Sequence, residues 1–147
     1  YLCDRKGARI LGTKPTGSGR RGGYRFAPAA RMHNTFLAAG SDDEEEMIRT
    51  MGDGLFVKDF GGGNSGVDFS IEAKEAYWVK AGEISHQVKG ITLSGNSLEI
   101  IGRVDRVGKK LVQEKGGSFC GGPSGLLPTT AFQPRIRISD MSVGGMG

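Results

Sequence analysis

The chain has 147 residues, enough for one domain with its own core, and it is 37% hydrophobic and 24% charged, with a net charge of +4. No apolar run approaches the roughly 20 residues of a membrane-spanning helix, and the charged start (Asp4, Arg5, Lys6, Arg9) lacks the apolar stretch of a signal peptide. Two distant cysteines, Cys3 and Cys120, form no disulfide framework, so a reducing, cytoplasmic setting is expected. Glycine is abundant at 26 residues, which predicts many turns and close backbone approaches rather than long helices. Because the chain opens on Tyr1 rather than Met, it is expected to be a piece of a longer protein whose preceding part is missing.

Residues 1–33 carry eight Lys/Arg against one Asp. Gly12, Pro15, Gly17, Gly19, Gly22 and Gly23 interrupt any periodicity, so this stretch reads as a basic, Gly-rich extended arm that other protein must order. Residues 34–147 read as a β-rich domain. The charge of the arm suits nucleic acid or an acidic partner. No aromatic interleaving or nucleic-acid motif accompanies it, so a solvated or partner-facing segment is the better reading and nucleic acid is not expected as a partner. Residues 16–23 look like a phosphate-cradling loop but lack the Gly-Lys-Ser/Thr ending.

Residues 31–37 read as a short strand with His33 and Asn34 at its polar positions. His33 has no partner four residues on, which disfavours a metal role. Ser41 and Glu44 form a capping box that opens a helix, with Asp42–Glu46 near the positive end of its dipole. Met47, Ile48 and Met51 make its apolar face, and Gly52 and Gly54 end it. A strand over 55–60 runs into a flexible Gly-rich loop over 61–66. Strands over 67–71, 75–80 and 84–89 follow, the last two joined by a tight turn, with His86 on the polar side. After a short strand at 91–93, Asn96 and Glu99 open a second helix, in which Leu98, Ile101, Val104 and Val107 recur at helical spacing up to Gly108. A short strand over 110–114 leads to the Cys120 loop, and the last strand covers 134–141. The fold class is α+β: an antiparallel β-rich meander of about six short strands with two short helices.

The stretch with chemical character is 115–125, where Cys120 stands among glycines on both sides. A thiol so flanked is sterically open, as a metal ligand or reactive thiolate must be. The structural alternative is a small buried hydrophobe, since free cysteine is among the most buried residue types. No second ligand stands nearby in sequence. The chain has no Ser-His-Asp signature, no Cys-x-x-Cys and no His-x-x-x-His, so no catalytic residue is assigned within it.

Several blocks, taken in order, resemble the last domain of the TldD/PmbA family. They are Asp4-Arg5, Thr16-Gly-Ser-Gly-Arg-Arg-Gly, Pro28, Arg31-Met-His-Asn-Thr, Gly54-Leu-Phe-Val-Lys-Asp-Phe-Gly-Gly-Gly, Phe69-Ser, Lys89-Gly-Ile-Thr-Leu-Ser-Gly-Asn, Cys120-Gly and Met141-Ser-Val-Gly-Gly. Family members carry an older label as modulators of DNA gyrase and are understood as metallopeptidases of peptide maturation and degradation. The resemblance implies a zinc held, in the TldD branch, by two His of a His-Glu-x-x-x-His helix and a Cys of the last domain. Cys120 matches that Cys, and the His-Glu helix belongs to the region before Tyr1. It therefore implies the C-terminal domain of a zinc-dependent peptidase for unfolded or small peptides, with zinc in the intact protein and neither metal nor activity in this piece alone. The first motif block favours the TldD-like branch. The segment after Cys120 is more apolar than that branch's usual Gln-containing one, and the alternative is a non-catalytic, PmbA-like subunit that binds substrate and partner. The expected partners are a peptide, the missing N-terminal part, and a family member in a homo- or heterodimer. Gyrase binding would rest on the basic arm and the old label alone. A broad peptidase needs affinity independent of side chains, which an added edge strand supplies. Gly61, Gly62 and Gly63 present no side chain to block such a strand and are the expected substrate-binding residues, sharing a cleft with Cys120; the plainer reading is a mobile hairpin connection.

Overall fold

The computed structural model describes residues 3–64, 66–113 and 117–145. In chain order its elements are α1 (Arg5–Leu11), β1 (Gly19–Arg20), β2 (Ala29–Ala30), β3 (Thr35–Phe36), α2 (Glu44–Arg49), β4 (Gly54–Asn64), β5 (Asp68–Lys80), β6 (Glu83–Val88), β7 (Ile91–Asn96), α3 (Ser97–Gly102), β8 (Val104–Val107), β9 (Val112–Gln113), β10 (Ser118–Cys120), β11 (Leu127–Thr129), β12 (Ala131–Gln133), β13 (Ile136–Ile138) and β14 (Ser142–Gly144). The class is α+β, as expected, with antiparallel pairing throughout the named strands except between β3 and β12. No helix of the described residues is long and apolar enough to cross a membrane. The chain divides into two compact units that interleave in sequence: Tyr1–Ala38 with Leu111–Gln133, and Ala39–Lys110 with Pro134–Gly147.

In the second unit β5 is the shared strand. One edge pairs with β4 along most of its length; the other is split between β7 for its first half and β6 for its second. The expected strands over 67–71 and 75–80 are therefore one strand. Ala73, Ala76, Ile91 and Leu93 form the buried centre, with Leu55, Val57, Val88 and Met141 packed on it. The two alanines are completely or nearly covered, so small side chains let the neighbouring strands' larger ones close over β5. The loop expected over 61–66 is shorter than its composition suggests: β4 continues through Asn64, and Gly63 pairs with Ile71. A Cβ on Gly63 would overlap the Ser70 carbonyl, so glycine here serves a close backbone approach rather than flexibility. Register shifts along 57–63 absorb the irregularity as bulges. Ser65 of that expected loop lies outside the described residues.

The first expected helix exists as α2, but Asp43 rather than Ser41 is its N-cap, accepting from the amides of Glu45 (3.1 Å) and Glu46 (3.4 Å). The flanking acids are drawn elsewhere. Asp42 accepts from Arg106 and from the Val107 amide, each at 2.9 Å. Glu44, expected to close a capping box, instead pairs with Arg135 at 3.1 Å. The second helix, α3, begins at the expected cap Asn96 but stops at Gly102. Residues 104–107, expected to continue it, form β8 against β13. The face is also different: Ile100 is buried, while Leu98 and Ile101 are 73% and 70% exposed. An apolar pair three apart is a helical signal, and the pairing of β8 with β13 overrode it.

The first unit holds α1, capped by Asp4 through the Gly7 amide at 2.7 Å, in a stretch expected to lack regular structure. It also holds three small sheets, β1–β2, β10–β11 and β3–β12–β9, in which Phe36 stacks on Phe132 at 4.9 Å. The strand expected over 31–37 is reduced to β3; Arg31 precedes it and is buried. The strand expected over 110–114 is β9, with Glu114 outside the described residues, as are Lys115 and Gly116 of the cysteine stretch.

The turn between β5 and β6 has positive φ at Ala81 (49°) and Gly82 (82°), and a Cβ on Gly82 would overlap the Arg49 carbonyl. Gly82→Ala should destabilise the chain by about 1–3 kcal/mol, whereas Ala81→Asn, which suits the left-handed first turn position, should stabilise it by about 0.5 kcal/mol. Urea unfolding of both variants reads the opposite signs.

Candidate functional site

Cys120 ends β10, opposite Leu127 of β11, and the six residues between them form the turn of this hairpin. The Gly125 amide closes that turn on the Gly122 carbonyl at 2.9 Å, and the Gly22 amide ties it to the arm through the Ser124 carbonyl at 2.7 Å. The thiol is half-buried and not disulfide-bonded.

Arg31 organises the loop from inside. It is 5% exposed, and its guanidinium spends its donors on the hairpin. Nη1 donates to Ser124 Oγ at 2.7 Å and to the Gly125 carbonyl at 3.0 Å. Nη2 donates to the Cys120 carbonyl and to Cys120 Sγ, the latter at 3.1 Å. Ser124 is fully buried. Gly122 makes the room: a Cβ there would stand 3.0 Å from the Arg31 Cζ and Nη1. A second arginine fixes the segment that carries the first, since Arg20 donates to the carbonyls of Met32 (2.6 Å) and Pro128 (3.0 Å).

Among the described residues no carboxylate pairs with Arg31. A buried cation without a counterion is costly, and the group it faces is the Cys120 sulfur. The Arg31 hydrogen bond accordingly holds the Cys120 thiol below the ordinary range. The Met32 amide and the charges of Arg31 and Arg20 act the same way, while partial burial opposes them. The loop presents a thiol that ionises more readily than an ordinary one, held by Arg31 and partly exposed.

A thiolate in this environment fits zinc as one ligand of a set. It does not make a set by itself: no group of three or more His, Cys, Asp or Glu among the described residues could hold a metal. His33 is exposed, and His86 lies on β6 with Ser85 Oγ at 3.1 Å from its Nδ1. Cys120 belongs to the first unit; Gly61, Gly62 and Gly63 belong to β4 of the second. There β4 is the edge strand of its sheet. Gly61 lies against Glu72 and Gly63 against Ser70, but the Cβ position of Gly62 has nothing within 4 Å.

Sequence reasoning missed Arg31 and Ser124. Arg31 stands 89 residues before Cys120 and is counted there as one charge of a basic arm. No spacing pattern announces a buried arginine.

The sequence profile of the PmbA/TldA metallopeptidase C-terminal domain matches residues 1–145. The chain is 33% identical over 148 residues to a Haemophilus influenzae protein named metalloprotease TldD homolog, covering 99% of this chain and 31% of that protein. It is 34% identical, with the same coverage, to the Buchnera aphidicola protein of that name from Schizaphis graminum. A Saccharolobus solfataricus relative, 26% identical over 99% of this chain and 33% of its own length, is named a zinc metalloprotease TldD homolog. Among solved structures, a Thermotoga maritima protein labelled as a DNA gyrase modulator superposes with a TM-score of 0.72 at 28% identity, over 98% of this chain and 30% of that one. TldE from Thermococcus kodakarensis shares the fold with a TM-score of 0.76 at 21% identity, over 99% of this chain and 31% of that one. The chain therefore spans 31% of the length of the first relatives it matches.

The lowered Cys120 thiol gives a pH signature. Alkylation of Cys120 by iodoacetamide, followed by peptide mass spectrometry, should have its pH midpoint below that of an ordinary thiol, and Arg31→Gln should move the midpoint upward. The same shift makes the stabilising effect of Cys120 full above the ordinary thiol range and lost as pH falls through its folded value. Unfolding of Cys120→Ala alongside the unmodified chain should therefore diverge towards high pH.

Proposed function

Because the chain belongs to the PmbA/TldD metallopeptidase family, as its C-terminal domain, we propose that in the whole protein it supplies Cys120 as one thiolate ligand of a catalytic zinc in a peptidase for unfolded or small peptides. The observation that carries this reading is the hydrogen bond from the buried Arg31 to Cys120 Sγ at 3.1 Å, at a sulfur that keeps part of its surface open. When bound, zinc supplies a Lewis acid and an acidified water. The rest of the ligand set is expected from a His-Glu-x-x-x-His helix in the part of the relatives' length that this chain does not span. Within the chain, Cys120 presents the sulfur, Arg31 and Ser124 hold its loop, and Arg20 holds the segment from which Arg31 reaches it.

The edge of β4 is the second part of the proposal. It offers main-chain groups to an extended peptide as an added strand, which gives affinity without side-chain specificity. Gly62 has the open space such a strand requires. Cys120 and the TldD names of the relatives favour the TldD-like branch over the non-catalytic, PmbA-like one.

In the full-length protein, Cys120→Ala should reduce hydrolysis of an unfolded peptide to background with an unchanged circular dichroism spectrum. Retained turnover would remove Cys120 from the mechanism, and a full-length protein that binds peptide without any turnover would establish the non-catalytic reading. This chain alone should take up less than one equivalent of zinc, because one thiolate is not a ligand set. Gly62→Val in the zinc-loaded protein should raise KM alike for peptides of different sequence while leaving kcat in place; an unchanged KM would confine Gly62 to strand geometry.

A further inference from the structure

Resting on the reading of Cys120 as a zinc thiolate, we propose that Arg31 is the positioning residue for that ligand: it fixes the orientation of the sulfur and the loop that carries it before any metal arrives. Three observations converge on this. First, one guanidinium nitrogen grips Cys120 at two points, its carbonyl oxygen and its Sγ, so the side-chain torsion of the cysteine is set against its own backbone. Second, the other nitrogen crosses the turn to Ser124 Oγ and the Gly125 carbonyl, so the thiol and the far side of the hairpin loop move together or not at all. A residue that merely stapled the loop would need only this second pair. Third, Arg31 is 5% exposed and has no carboxylate partner among the described residues, whereas the sulfur it holds is half-buried. The arginine is buried, and the cysteine it holds keeps part of its surface exposed.

The need for such a device follows from the loop itself. Gly121, Gly122 and Gly125 flank the cysteine on its turn, and a glycine-rich turn loses much freedom when a ligand freezes it. Hydrogen bonds from outside the metal's own ligand set do this freezing in advance and orient the donor atom. A thiolate sulfur can accept the Arg31 N–H and still offer a lone pair to a metal. The fork geometry matters: a planar guanidinium reaches a carbonyl and a sulfur from one nitrogen and two further acceptors from the other, which a lysine ammonium on its flexible stem cannot reproduce. Gly122 completes the device by leaving the space in which the guanidinium lies.

The test uses the full-length protein, stripped of metal and titrated with cobalt(II). The thiolate-to-cobalt charge-transfer absorption reports the sulfur as a ligand, and competition with a chelator gives the cobalt affinity. Near-ultraviolet circular dichroism reports folding. Cys120→Ser should lose the charge-transfer band. Arg31→Gln should keep the band but bind cobalt roughly 10- to 100-fold more weakly, and Arg31→Lys should fail to restore the affinity. Gly122→Val keeps both the cysteine and the arginine and crowds the guanidinium from its place; it should weaken binding in the same direction, and it carries the test if Arg31→Gln does not fold. The proposal is overturned if the folded arginine and glycine variants all bind within about twofold of the unmodified protein, or if Arg31→Lys restores full affinity, since charge alone would then suffice. Should Cys120→Ser retain the band, the zinc-thiolate reading itself fails and the positioning role falls with it. Loss of the band in Cys120→Ser with unchanged binding in the Arg31 and Gly122 variants would leave the zinc reading standing and remove only Arg31.

Discussion

A buried guanidinium with no carboxylate partner among the described residues is the constraint around which the first unit is arranged. Arg31 is withdrawn from water among main-chain carbonyls, a serine hydroxyl and a thiol. Neutral acceptors satisfy its donors but do not cancel its charge, and an uncompensated buried charge is strongly unfavourable. Among the described residues, the acidic group that Arg31 bonds is the Cys120 thiol, so the same side chain that holds the β10–β11 turn also lowers the pKa of the sulfur. Structure and chemistry are coupled here because one nitrogen serves both the backbone and the side chain of one residue.

The second unit solves a different problem. A thirteen-residue strand, β5, is shared by β4 on one edge and by β6 and β7 on the other, so its side chains must suit three neighbours. Ala73 and Ala76 at the buried centre meet that demand by being small. Around it, ion pairs link distant segments: Arg106 to Asp42, Arg135 to Glu44, and Arg137 to Asp105. Exposed pairs of this kind are worth little singly. The pair at Glu44 holds the carboxylate that a capping box with Ser41 would have used, while Asp43 caps α2. Arg135 also lies over the Phe56 ring at 4.8 Å, which joins the charge lattice to the face of β4.

The chain spans 31% of the length of its first relatives, so a thiol it offers meets whatever the rest of the protein brings. Its contribution is nonetheless complete in itself. The hydrogen bonds to the Cys120 sulfur and carbonyl come from within the first unit, and the edge of β4 is set within the second. A component prepared in this way meets the remaining ligands with little left to reorganise, which is where much of the cost of assembling a binding site lies.

The sequence by itself determined the class of fold, the cap of the second helix at Asn96 and the tight turn between β5 and β6, and it offered Cys120 as a candidate. These are local signals: a cap needs an acceptor beside free amides, a hairpin needs positive φ at its turn, and an unhindered thiol needs small neighbours. The ordered run of motif blocks added the family, which no local signal carries. Tertiary structure alone decided the rest. Residues 104–107 became a strand because β13 lay alongside; Gly63 belongs to a strand because Ser70 approaches too closely for a side chain. Ser41 lost the helix cap to Asp43 while Asp42 and Glu44 were drawn to Arg106 and Arg135. Above all, Arg31 reads in the sequence as one more charge on a basic arm, and only the fold buries it against a cysteine 89 residues away. Burial is a property of what surrounds a residue in space, so the chemistry that burial creates has no signature in the order of residues along the chain.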